Sequence, residues 1–223
     1  MGAKTWLLSF SNGDAKEVLS KLPKPDEGKA QQLLKMLFPE TKFEKIENGD
    51  LFSTSPPDDE VYIGCYPGVS IVAASEFGIE NPSSLSDKYL LNDYGSDIHL
   101  HAMHSVVDWF AFAHWENGVL QRSLSISSDD GIIEDIGSQK QFEKPYWEGK
   151  HPAVDPEDEY PLQFHPLELG EEALLEFFGY QIEGASDKIL FEPEEVELLC
   201  FKRKKASVLL LASEIFSVKR WLT

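Results

Sequence analysis

Apolar residues recur in two short runs, Asp108 to Glu116 and Val119 to Ser127, and Asn117-Gly118 between them predicts a hairpin. Asn-Gly suits a two-residue type I′ turn because both central positions need positive φ. Counting outward from the turn pairs Trp115 with Leu120, Ala113 with Arg122, Ala111 with Leu124 and Trp109 with Ile126, and sets Phe110, Phe112 and His114 against Ser125, Ser123 and Gln121. In that register Arg122 is the lone charge on an apolar face that also carries Trp109 and Trp115.

The same reading extends along the chain. Lys4 to Phe10 is a strand, and Asp14 beyond it caps a helix from Ala15 to Lys21. A second helix, Glu27 to Phe38, lines up Leu33, Leu34, Leu37 and Phe38 and stops before Pro39. Asn48-Gly49 predicts a small hairpin between Phe43 and Phe52. Two apolar strands, Val61 to Tyr66 and Val69 to Ala74, flank Pro67-Gly68. Ser84 to Leu91 reads as a short helix and His99 to Met103 as a strand. Asp129-Asp130-Gly131 is a turn, and Gly137 to Pro166, rich in Pro, Gly and aromatics, reads as an ordered surface loop. Gly170 to Phe178 is an amphipathic helix and Leu198 to Phe201 a strand, while Ser207 to Trp221 suits either element. The acidic runs Asp155 to Glu159 and Glu192 to Glu197 read as solvated loops. Strands this close in sequence leave no room for helical crossovers. The expectation is a single α+β domain over residues 1–223, with a mixed, largely antiparallel sheet and helices on one face.

Charge narrows the partners. With 39 acidic and 20 basic side chains, the formal charge of −19 disfavours nucleic acid and anionic membrane surfaces and suits a basic protein partner. The chain holds 2 cysteines, Cys65 and Cys200, far apart and without metal-knuckle spacing, which fits reduced thiols in a cytoplasm. The apolar run near the start is too short for a signal peptide, and Trp6 stands where an acylation signal has Ser or Thr. A cytoplasmic protein without a membrane span is expected.

Three constellations bear on chemistry. His99-Leu100-His101-Ala102-Met103-His104 offers three imidazoles, His99 and His101 sharing a strand face. It approaches the H-x-H-x-D-H arrangement of metal-dependent hydrolases, with Met103 in the Asp position and Asp108 as an extra ligand or base. His104, Ser105 and Asp108 supply the residue types of a nucleophilic triad, but adjacent strand residues face opposite ways and no G-x-S-x-G turn exposes a serine. No glycine-rich phosphate loop occurs, so no cofactor is expected. Arg122 cannot shed its charge, so it needs either an internal partner among Glu134, Asp135 and Glu143 or an anionic ligand in a cleft walled by Trp109 and Trp115.

Several stretches carry a family likeness: the Met-Gly-Ala-Lys-Thr start, His104-Ser105-Val106-Val107-Asp108-Trp109, Trp115-Glu116-Asn117-Gly118, Arg122-Ser123-Leu124-Ser125, the run Asp130 to Gly137, Pro145-Tyr146-Trp147, and Phe164-His165-Pro166-Leu167-Glu168-Leu169-Gly170. Together they resemble a bacterial family, mainly from Gram-positive organisms, classed only as a domain of unknown function. The resemblance brings no activity and no catalytic residues. More loosely, the order of glycine turns and R-S-L-S is similar to hairpins of small immunity or inhibitor-like domains, which implies a non-enzymatic binding role.

Overall fold

The computed structural model describes residues 2–153, 160–184 and 186–204. In chain order the elements are β1 (Lys4–Ser11), α1 (Ala15–Leu19), α2 (Glu27–Leu37), β2 (Phe43–Lys45), β3 (Gly49–Asp50), β4 (Glu60–Tyr66), β5 (Val69–Ala73), β6 (Asp97–His104), β7 (Trp109–Glu116), β8 (Val119–Ser127), β9 (Gly131–Gly137), α3 (Lys144–Trp147), α4 (Pro166–Phe178) and β10 (Glu197–Arg203). The strands form one sheet in the order β2-β10-β4-β5-β1-β6-β7-β8-β9, with β3 also paired to β10. Every ladder among the described residues is antiparallel.

The α+β class and largely antiparallel sheet agree with expectation; the placement of the helices does not. Leu169, Leu174 and Phe178 of α4 and Leu19 of α1 pack on one face with Phe110, Phe112 and Leu124. Leu33, Leu34 and Leu37 of α2 pack on the other, against Ile63, Val61 and Phe201. Helices therefore cover both faces, and central strands such as β5 are buried at every residue, which hides the period-two alternation. The helix boundaries follow local chemistry. Asp14 and Asp26 accept from backbone N–H groups of α1 and α2. α4 begins at Pro166 behind a His165 cap and ends at Gly179, where φ is 86°.

Asn117 and Gly118 have φ of 50° and 77°, as a type I′ turn requires. Outward from it, Glu116–Val119 and Trp115–Leu120 pair, but a bulge then leaves Gln121 without a partner, and His114 faces Arg122, Ala113 Ser123 and Phe112 Leu124. That extra residue moves Arg122 to the face opposite Trp109 and Trp115. Asn48-Gly49 forms no such hairpin: neither residue has positive φ, and β2 and β3 both run along β10 as one interrupted edge strand. The helix expected over Ser84 to Leu91 is two 3-10 turns, Pro82–Ser84 and Asp87–Tyr89. The loop from Gly137 to Pro166 includes the short α3. The expectations for Ser207 to Trp221 and Asp155 to Glu159 lie outside the described residues.

Candidate functional site

Arg122 is fully buried and its charge is met inside the protein. Its Nε and Nη2 donate to the two oxygens of Glu143 at 3.0 and 2.6 Å, and Nη1 donates to Asp135 and to the carbonyls of Ile136 and Gly137 at 3.1 and 3.3 Å. Glu143, itself fully buried, also accepts from the Lys140 backbone N–H at 2.7 Å. Burial works against this guanidinium's charge, yet pairing with Glu143 and Asp135 outweighs it and raises the pKa. Two of the three carboxylates expected as internal partners therefore hold Arg122. The third, Glu134, accepts from Ser123 and from the Ser83 N–H instead.

The three histidines offered as candidate metal ligands each have partners of their own. His101 sits at the sheet centre with both ring nitrogens engaged: the Thr5 hydroxyl donates to Nδ1 at 2.7 Å, and Nε2–H donates to the Gly170 carbonyl at 3.0 Å. Burial lowers its pKa to about 4, so it is neutral and has no free lone pair for a cation. His104 points to the other face and stacks on Trp6 with ring centres 6.0 Å apart. His99 stacks instead on His114, its cross-strand partner, at 4.5 Å and on Phe177 at 4.4 Å. Among the described residues no group of three or more His, Cys, Asp and Glu side chains is placed to hold a metal ion.

His99 and His114 open onto a cleft of about 530 Å³, whose walls include Asp97, Lys140, Phe142 and Phe177. Lys140 Nζ donates to His114 Nδ1 at 2.6 Å, leaving Nε2–H to donate to Asp97 at 3.2 Å. Burial lowers the His99 pKa well below its usual value, with His114 and Lys140 adding to the effect, and also lowers that of His114 despite the hydrogen bond to Asp97. Burial depresses Lys140 too, against the pull of Glu116, Glu143 and Asp97. The Arg122–Glu143 pair fixes the backbone of Lys140 and so aims its amine at His114. The sequence reading missed Lys140 altogether. The His99–His114 pairing was within reach, because counting back from the short link between β6 and β7 sets them opposite.

Trp109 lies at the far end of β7 on the other face, its Nε1 donating to Ser125 at 3.1 Å. It lines a second hollow of about 380 Å³ with Val107, Ile133, Glu80, Asp129 and Asp130. Trp115 lines neither space and is buried in the α2-side core with Leu120 against it. Val106 and Val107 sit on the 3-10 turn before β7 and are 83% and 50% exposed. Asp108 ends that turn in the left-handed region at φ 41°.

Among the described residues an antiparallel ten-stranded sheet covered on both faces, with a hollow at each end of the β7–β8 hairpin, is the frame in which these residues sit. The sequence matches a family of unknown function, DUF6928, over residues 5–201, and the chain belongs to that family. No curated protein and no solved structure matches it. No helix among the described residues is long and apolar enough to cross a membrane.

Proposed function

We propose that this protein is a non-catalytic acidic binding module, of the immunity or inhibitor-like kind, which acts as one α+β domain in the bacterial cytoplasm and captures a basic protein partner at the Trp109 hollow. The observation that carries this reading is that exposed Val107 lines the hollow together with Trp109, Glu80, Asp129 and Asp130, with exposed Val106 next to it in the chain. An apolar hollow with an acidic rim suits a segment whose Lys or Arg residues flank an apolar side chain. The overall charge of −19 steers such a partner in. Cys65 and Cys200, both free and buried, fit a reducing compartment.

The test is affinity capture from the native cell with wild type and with Val107→Asp and Trp109→Ala, followed by calorimetry on the recovered protein. A basic partner whose binding weakens at least tenfold in both variants, and weakens with added salt, supports the assignment. Recovery of no partner, or of one that binds both folded variants as tightly as wild type, overturns it.

A further inference from the structure

At the opposite end of the hairpin, the Asp97, His114 and Lys140 side chains form a continuous hydrogen-bonded chain whose amine ends in the 530 Å³ cleft. Among the described residues Lys140 differs from lysines such as Lys21, Lys45 and Lys202, which bond carboxylates, in that its amine bonds an imidazole nitrogen. From this geometry we propose that the cleft is a site for small carbonyl compounds bearing a carboxylate, and that Lys140 forms an imine with them.

The chemistry needs an uncharged amine, a base in contact with it and room over the nitrogen. Burial of Lys140 favours the free amine, although Glu116, Glu143 and Asp97 hold part of the population charged. His114 Nδ1, at 2.6 Å, is a lone pair already aimed at the Lys140 nitrogen, and Asp97 fixes the tautomer that leaves it free. Phe142 and Phe177 give the cleft apolar walls, and Lys16 on its rim, held loosely by Glu176 at 3.6 Å, supplies a counter-ion for the carboxylate. In the reaction Nζ adds to the carbonyl carbon and the C–O π electrons move to oxygen. His114 then carries protons from nitrogen to that oxygen. The C–O bond breaks, and the two hydrogens lost by the amine leave with the oxygen as one water, with no oxidant or reductant consumed in forming the C=N bond. His99, stacked beside His114 and kept neutral, adds no positive charge that would oppose proton uptake by its neighbour.

The experiment treats the full chain with glyoxylate and sodium cyanoborohydride near neutral pH, the borohydride trapping any imine, and maps modified lysines by peptide mass. Lys140 is expected to be trapped several-fold faster than exposed Lys24 and Lys35, because burial lowers its pKa and leaves more of the free amine at neutral pH. His114→Phe, with folding checked by circular dichroism, should bring Lys140 down to the rate of those exposed lysines. Asp97→Asn, which frees the imidazole without removing it, should give an intermediate rate and serves if His114→Phe does not fold. Trapping of Lys140 in wild type no faster than Lys24 and Lys35, or an unchanged Lys140 rate in the folded variants, refutes the imine site. Neither result bears on the Trp109 hollow.

Discussion

Among the described residues Arg122 is the largest side chain that the fold buries completely, and what it holds matters more than what it displays. Replacing it by Met keeps the volume but leaves the buried Glu143 carboxylate without its cation. Breaking a buried pair from one side costs about 3–5 kcal/mol, so Arg122→Met should lower the free energy of urea unfolding by that amount. A loss below about 1 kcal/mol would mean that water or another donor replaces the guanidinium. His101 sets a pH dependence. Its pKa is about 4 in the folded protein against 6.5 when unperturbed, so between those values the unfolded chain binds the proton and the folded one does not. Stability attached to the neutral ring is complete above 6.5 and drains away as pH falls toward 4, by on the order of 3 kcal/mol. His99, His104 and His114 are shifted the same way. Urea midpoints at pH 7, 6 and 5 should fall in that order, and a His101→Gln protein that still folds should show a shallower decline. Midpoints that do not move would contradict the assignment of a buried neutral imidazole.

Strand β9 ends at Gly137, where φ is 83° and an added Cβ would land on the Gln121 carbonyl oxygen. Gly149 has φ of 71° but open space around it. Gly137→Ala should therefore cost more than about 2 kcal/mol, combining backbone strain and a clash with main chain. Gly149→Ala should cost only the strain, about 1 kcal/mol. Thermal melts of the two variants decide it, and equal losses would show that β9 yields without resistance. The clash arises at the same bulge that defeated register counting. The Asn117-Gly118 turn and the cores of β1, β4, β5, β6, β10, α1, α2 and α4 were legible, because caps, turn residues and apolar runs are local signals. An unpaired Gln121 among polar neighbours leaves no mark in the sequence, since either alignment gives β8 a plausible apolar face. The two Asn-Gly pairs make the same point: Asn117-Gly118 turns because its flanking strands need one another, whereas β10 claims both sides of Asn48-Gly49. Arg122's partners could be guessed from charge alone. Lys140 could not, because its position depends on a loop anchored through Glu143.

An excess of acid over base sets how the chain as a unit responds to ions. Going from about 10 mM to about 150 mM salt shortens the screening length from roughly 30 to 8 Å, which weakens repulsion among the 39 carboxylates while touching the buried Arg122 pair little. The melting temperature should rise over that range, and a fall would indicate that exposed ion pairs such as Lys45–Glu27 and Lys21–Glu17 stabilise more than repulsion destabilises. Binding of a basic partner should weaken over the same range, so the two trends have opposite signs and can be told apart in one titration series. The chain leaves the sheet at Gly137 and comes back against Arg122 at Glu143, just before α3, and both ends of that detour are bonded to Arg122. A peptide bond cut at exposed Ser138 or Gln139 would leave two stumps tied to one cation, so severing the backbone there would not by itself release Lys140 from its post.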